Sequence, residues 1–310
     1  MELRHLRCFL AVAQELHFAR AAEKLHIEQS PLSRAIKELE EELGVRLFDR
    51  NTRSTRLTRA GQVFMDHVPR VFAALTQARD SVRAVSAGYQ GQLRIALSEG
   101  IPQARLTALL SHCREEEPDT EIRLYEVPFS QQLKGIEADL YDAGFAQSSD
   151  VGEALFAMSA WSDPMIVAVP SRHPLLIHKR LPLDEVLRYP LVLCNPEVCE
   201  GCCRQLDRVL RATDMEPIVA ERVASHDLMV TLVAAGYGLG FSTEAHVLTS
   251  SHPEIVTRPL AGRTPVLTTY LIHRIGDPSE SLRRFVERAL INAPDRPANE
   301  AQDTSPGSST

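Results

Sequence analysis

A chain of 310 residues is long enough for two or three domains, and a composition of 44% hydrophobic and 24% charged residues argues against wholesale disorder. No run approaches the roughly 18 apolar residues of a membrane span, and the opening MELRHLRCFLAVAQELHF carries charge too early for a secretory signal, so a cytoplasmic protein with no membrane partner is expected. The formal net charge of −7 argues against an overall polyanion binder, but the charge is segregated: residues 1–60 hold eleven Lys/Arg against nine Asp/Glu, a net of +2, and the remainder carries −9.

The first sixty residues read as short amphipathic helices, with Leu3, Leu6, Phe9, Leu10 and Ala13 at helical spacing, then Phe18, Ala21, Ala22 and Leu25. A third helix is expected from QSPLSRAIKELEEELG, with Ser30 as N-cap, Pro31 at its first position and Gly44 as its stop. Leu32, Ile36, Leu39 and Leu43 form its apolar stripe, and Ser33, Arg34 and Lys37 occupy the opposite face, where side chains can reach bases or phosphates. Two helices joined by the short connection His26 to Gln29 satisfy a helix-turn-helix, and equally an ordinary helical hairpin. Residues 45–59, VRLFDRNTRSTRLTR, place Arg46, Arg50, Arg53, Arg56 and Arg59 among small polar residues, with Leu47, Phe48 and Leu57 as anchors. That pattern suits a basic β-hairpin wing touching phosphates or the minor groove, or a solvated charged surface.

From Ala60 to Gly88, Phe64, Val68, Val71, Phe72, Leu75, Ala78, Val82 and Val85 follow heptad spacing, so residues 61–88 read as one long helix that either pairs with a second copy or packs inside its own domain. Beyond Gly91 the class changes to α/β. Strands are expected at 92–97, 121–127, 142–146, 165–170, 191–194, 218–224, 239–242 and 266–273, with a helix near 103–117. This many strands suggest two small lobes, and the Pro/Ser-rich residues 293–310 read as a disordered tail.

Taken together, LRHLRCFLAVAQELHFARAAEKLHIEQSPLSRAIKELEEELGVRLFDRNTRSTRLTRAG resembles the N-terminal signature of LysR-type transcriptional regulators, with F-x-R-A-A-E-x-L, Q-S-x-L-S-R-x-I-x-x-L-E-x-x-L-G and L-F-x-R nearly continuous. The resemblance extends over about residues 1–292. It implies a winged helix-turn-helix at 1–60, a dimerising linker helix at 61–88, and an effector domain at 91–292 folded like periplasmic binding proteins. The implied lobes are discontinuous, lobe I being 91–162 with 267–292 and lobe II 163–266. Carried onto matching positions, the DNA contacts are Gln29, Ser30, Pro31, Ser33 and Arg34, with Arg50 and Arg53 at the wing; Lys37 and Arg56 are added on charge alone. The implied partners are double-stranded DNA carrying an interrupted inverted repeat, a small-molecule effector, RNA polymerase, and further copies of the chain as a homodimer and homotetramer.

The resemblance places the effector between the lobes, where strand ends and helix N-termini offer Ser98, Glu99, Gly100, Phe129, Ser130, Gly201, Cys202, Ser225 and His226. An organic acid is the expected class, although Glu99 opposes a second carboxylate nearby. Several of these residues read equally well as helix caps.

Cys194, Cys199, Cys202 and Cys203 stand within ten residues. Six cysteines in a cytosolic chain are expected to be reduced. The Cys199-x-x-Cys202 spacing and a helix N-terminus that would lower a thiol pKa open a redox- or metal-responsive alternative through Cys199, Cys202 and Cys203, against small residues lining an organic cleft. No metal site is expected, since no second ligand pair lies nearby. No cofactor is implied, and no enzyme is expected: AGYGLGF at 235–241 lacks the strand-first context of a dinucleotide fingerprint and reads as a tight turn before a strand. A solute-binding protein would suit the second half alone, but not the first sixty residues.

Overall fold

The computed structural model describes residues 1–50, 55–213, 215–247 and 252–291. The tail expected at 293–310 and the wing residue Arg53 lie outside the described residues. The chain divides into two compact units, Met1–Arg83 and one beginning at Ala84.

The first unit contains helices α1 (Leu3–Glu15), α2 (Phe18–Lys24) and α3 (Gln29–Leu43), a hairpin of β1 (Phe48–Arg50) and β2 (Thr55–Leu57), and most of α4 (Arg59–Ser86). Phe9, Val12, Ala21, Leu32, Ile36 and Leu39 are fully buried in one core, which Leu47, Phe48 and Val68 join from the hairpin and α4. Helix α3 starts earlier than the sequence suggests: its N-cap is Glu28, with no side-chain capping bond, so Ser30 and Pro31 are the second and third helical residues. The turn dictates this. His26 adopts φ 54°, Ile27 N–H donates to the Ala22 carbonyl, and the chain is already turned when it reaches Gln29. Pro31 is harmless there, because first-turn N–H groups have no helical acceptor. Gly44 ends the helix at φ 69°, a left-handed cap that glycine adopts without a Cβ clash.

The heptad row of α4 divides in two. Val68 is buried, with Phe64 and Phe72 packed on the core of the first unit. Val71, Leu75, Val82 and Val85 are exposed, leaving an apolar row down a helix about 42 Å long.

The second unit is α/β, as expected. In chain order it comprises β3 (Gly91–Leu97), α5 (Gln103–Glu116), β4 (Thr120–Glu126), α6 (Phe129–Glu137), β5 (Ala143–Ala146), β6 (Leu155–Pro170), α7 (Leu183–Val186), β7 (Leu191–Cys194), α8 (Glu200–Leu210), β8 (Val219–Val223), α9 (His226–Ala234), β9 (Leu239–Thr243), α10 (Glu244–Val247), β10 (Ile255–Pro259), β11 (Val266–Arg274) and α11 (Glu280–Ile291). The strands form a sheet ordered β4-β3-β5-β11-β6-β9-β7-β8, with β10 beside β6. β3 pairs parallel with β4 and β5, and β7 parallel with β8 and β9, which makes two doubly wound halves. The antiparallel strands β6 and β11 run from one half into the other.

Each half has its own apolar core. Ile95, Leu109, Phe145, Trp161, Leu271 and Phe285 fill one, and Val167, Leu181, Leu191, Leu206 and Leu239 the other. Trp161 stacks on Phe145 with ring centroids 4.6 Å apart, and its indole N–H donates to the Ala289 carbonyl at 3.2 Å, locking α11 onto the sheet.

Candidate functional site

Two surfaces carry recognition chemistry. On α3, burial of Leu32, Ala35, Ile36 and Leu39 rotates Gln29, Ser30, Pro31, Arg34 and Lys37 outward, with Ser33 half-buried at the margin. Lys37 makes an exposed (i, i+4) pair with Glu41 at 3.4 Å, worth only a few tenths of a kcal/mol. The hairpin is tied to the same helix, because Glu40 Oε1 accepts the N–H groups of Leu47 (2.8 Å) and Phe48 (3.1 Å). Its register sets Asp49 opposite Arg56 and Arg50 opposite Thr55, and Arg56 is exposed. A helix with a polar outer face and a basic hairpin beside it match the shape and charge of a groove and its flanking phosphates.

The second surface is a cavity of about 450 Å³ at the C-terminal ends of the parallel strands of both halves. Met165 and Leu267, on the two crossing strands, lie in its lining. One half contributes Leu97 to Ile101, Gln103, Leu106, Glu126, Val127 and Gln147; the other contributes Val192 to Cys194, Cys199, Cys202, Leu206, Val223 to Asp227, Met229, Phe241 to Thr243, and His246. A mainly apolar wall with a few polar groups is the usual design of a small-molecule site.

Of the residues expected there, Ser98, Glu99, Gly100, Cys202, Ser225 and His226 line the cavity. Phe129 and Ser130 do not. They open α6, whose Phe129 packs with Ile136, Ala146 and Ile272 in a separate apolar cluster, and only Glu126 and Val127 of that connection reach the cavity. Gly201 is also absent from the lining. It instead permits close approach between the halves: a Cβ there would lie 2.5 Å from the Gln147 carbonyl carbon. Next to it, Gln205 donates to the carbonyls of Gln147 (2.7 Å) and Thr268 (2.8 Å). Gly201→Ala should therefore strain this seam and lower stability by about 1 kcal/mol or more, measurable by denaturant unfolding.

Gln147, Ser242, Thr243 and His246 were not foreseen, yet the strand-end rule that selects Ser98 applies equally to the ends of β5 and β9. His226 Nε2 lies 2.7 Å from Ser242 Oγ, and His246 Nδ1 lies 3.0 Å from Thr243 Oγ1. The two imidazoles stack at 4.6 Å. Burial, and then the neighbouring His226, push the pKa of His246 from 6.5 down to about 4, while burial also lowers that of His226 against the opposing pull of Asp227. Both rings are neutral at pH 7. Unfolded histidine takes up its proton near pH 6.5 and folded His246 only near 4, so stability is full above about 6.5 and falls as the pH drops through that window. His246→Gln should flatten this slope in urea titrations between pH 7 and 4.

The cysteine cluster departs from the redox alternative. Burial drives Cys199 up to about 11, with Cys203 and Glu99 adding to the shift. Hydrogen bonding to Cys202, followed by burial, raises Cys194; hydrogen bonding to Cys194, followed by burial, raises Cys203. The expected thiolate stabilisation at the start of α8 is thus overridden by desolvation and by neighbouring thiols. Cys203 lies behind the cavity wall, its Sγ donating to the Cys194 carbonyl at 3.3 Å. All six cysteines are free, and among the described residues no group of three or more His, Cys, Asp or Glu is placed to hold a metal ion.

Comparison with known proteins accounts for both surfaces. Residues 3–62 match the model described as bacterial regulatory helix-turn-helix protein, lysR family, and residues 86–292 match LysR substrate binding domain. The chain is 30% identical over 287 residues to the Hca operon transcriptional activator HcaR of Escherichia coli K12, covering 92% of this chain and 96% of that one. It is 32% identical over 240 residues to the HTH-type regulator YnfL of the same organism, covering 77% and 81% respectively. The crystal structure of CbnR, a LysR family transcriptional regulator, superposes with a TM-score of 0.75 at 25% identity, covering 95% of this chain and all of that one; CbnR complexed with its target DNA gives 0.74. Among the described residues no helix is long and apolar enough to cross a membrane. A helix-turn-helix whose third helix faces outward, followed by a two-halved α/β unit enclosing a small-molecule cavity, makes this chain a member of the LysR family of bacterial transcriptional regulators.

Proposed function

We propose that the protein occupies a promoter carrying an interrupted inverted repeat and that a small molecule in the α/β cavity sets the outcome. Gln29, Ser30, Pro31, Ser33, Arg34 and Lys37 meet the major groove, and Arg50, Arg53 and Arg56 the flanking backbone. The observation that carries this reading is the outward row on α3, held beside the hairpin by Glu40. Residues 61–88 join two copies through the exposed Val71, Leu75, Val82 and Val85, since an apolar row on a long helix is stable in water only when covered. Dimers pair into tetramers on DNA, in the cytoplasm, and RNA polymerase receives the signal. Ser98, Glu99, Gly100, Cys202, Ser225 and His226 hold the effector.

The test is band retardation and footprinting with the DNA upstream of the protein's own gene. Protection of two half-sites in register with the helical repeat is the expected result. Binding no tighter than to unrelated DNA would remove the reading, since specific sites exceed non-specific ones by about 10³ or more.

A further inference from the structure

Resting on the reading of the cavity as the effector site, we infer that the effector is a cation, an amine carried on an apolar body, and not the organic acid that the sequence suggests. The ionisable groups on the cavity wall decide this. Glu99, Glu126 and Asp227 line it, and none of its lining residues is Lys or Arg. An anion there would meet three carboxylates and no formal positive charge. The imidazoles of His226 and His246 do not supply one, because burial keeps both neutral at pH 7.

Helix N-termini are the remaining source of positive potential: those of α8 and α9 in the second half are already answered, and that of α5 in the first half, which has no acidic residue in its first turn, follows four residues after Glu99, itself in the wall. Glu200 stands in the first turn of α8, held by Arg204 at 2.5 Å, and Asp227 stands in the first turn of α9. Ser225 Oγ further accepts the Leu228 N–H, which removes one of the free donors of α9.

A separate observation points to a hydrogen-bond donor in the ligand. Gln147 lines the cavity and is only 3% exposed. Its amide N–H donates to the Gly100 carbonyl at 2.7 Å, yet its Oε1 has no donor among the described residues. A buried acceptor left in that state is costly, and an ammonium N–H would satisfy it. The rest of the wall suits an apolar body, with Leu97, Leu106, Phe241 and the polarisable sulfurs of Met165, Cys202 and Met229.

The experiment compares three probes of one shape, phenethylamine, phenethyl alcohol and phenylacetate, by calorimetry on the full chain without DNA. The amine should bind about tenfold or more tighter than phenylacetate, with the alcohol between them. The preference should collapse to within about threefold in the combined Glu99→Gln, Glu126→Gln, Asp227→Asn variant, whose unaltered Trp161 fluorescence and circular dichroism would show that it folds. Phenylacetate binding as tightly as the amine, no binding of any probe at millimolar concentration, or an undiminished preference in the triple variant would each overturn the inference. Because binding is read without DNA, these outcomes are separable from a failure of promoter recognition; an amine that binds but leaves the footprint unchanged would support the charge assignment and count against effector control.

Discussion

Phe9→Ala should lower the stability of the N-terminal unit by about 3–5 kcal/mol and abolish promoter retardation while leaving the α/β unit intact. Phe9 is fully buried, and its ring lies 5.4 Å from Phe48 on the hairpin and 4.9 Å edge-on from Phe64 on α4. It therefore joins three elements at the centre of the core that Leu47, Phe48 and Val68 share with α1. The hairpin is too short to hold itself, with three paired positions and a single inward anchor at Phe48 on its first strand. A domain of this size has about 5–15 kcal/mol in all, so losing one such ring removes a third or more of it in a typical case. The protein supplies its own control, because its single tryptophan, Trp161, stands in the other unit. Tryptophan fluorescence should melt at an unchanged temperature while helical circular dichroism loses an early fraction. A Trp161 transition that fell in step with the helical signal would show that the ring does not act within the first unit alone.

The same core explains which features were legible in the sequence. α1, α2 and the end of α3 fall where apolar spacing and Gly44 put them, since each helix buries one continuous face and nothing distant is needed to define it. The start of α3 was misread because Ser30 is the better capping residue by preference, while the connection through His26 decides where the chain is already turned. In the second unit the strands followed by helices were recognisable as short β-branched runs. β10 was not: IVTRP carries a charge and a proline, lies at the margin of the sheet, and is only half-buried throughout. The first half of β6 was also missed, because LFAMSAWSD mixes buried and exposed residues irregularly as the strand crosses between halves.

The cavity was legible as a location and much less so as a list. Strand ends are predictable, but which of them converge depends on the order β4-β3-β5-β11-β6-β9-β7-β8, a pairing over long sequence separation. Gln147 and His246 enter the wall only through that order, and Phe129 leaves it because α6 packs toward Ile272. The thiols show the opposite limit. Their clustering was plain in LCNPEVCEGCCRQ, but burial raises the pKa of Cys199, and hydrogen bonding to Cys202 and to Cys194, each followed by burial, raises those of Cys194 and Cys203; burial cannot be read from spacing.

On the outward face of α3, proposed to meet DNA, Arg34 and Lys37 should fail in different ways when removed. Arg34→Ala is expected to cost about 1–3 kcal/mol on the cognate site and almost nothing on unrelated DNA, because a guanidinium reads a guanine edge through two parallel hydrogen bonds. Lys37→Ala should weaken all sequences alike and reduce the slope of log affinity against log salt by about 1, the loss of one phosphate contact. Both side chains are exposed, and among the described residues the weak Lys37–Glu41 pair is the only ion pair that either makes, so each variant should keep its fold within about 0.5 kcal/mol. Lys37 must also leave Glu41 to reach a phosphate, so Glu41→Gln should modestly strengthen binding at low salt and not at high salt, where the pair is already screened. The double variant should lose the sum of the two effects, because a base edge and a phosphate are separate partners. Fluorescence anisotropy with cognate and scrambled duplexes at several salt concentrations resolves all four. Equal losses on both duplexes for Arg34→Ala would place that residue on the backbone and move sequence reading to Gln29 and Ser33, which precede it on α3.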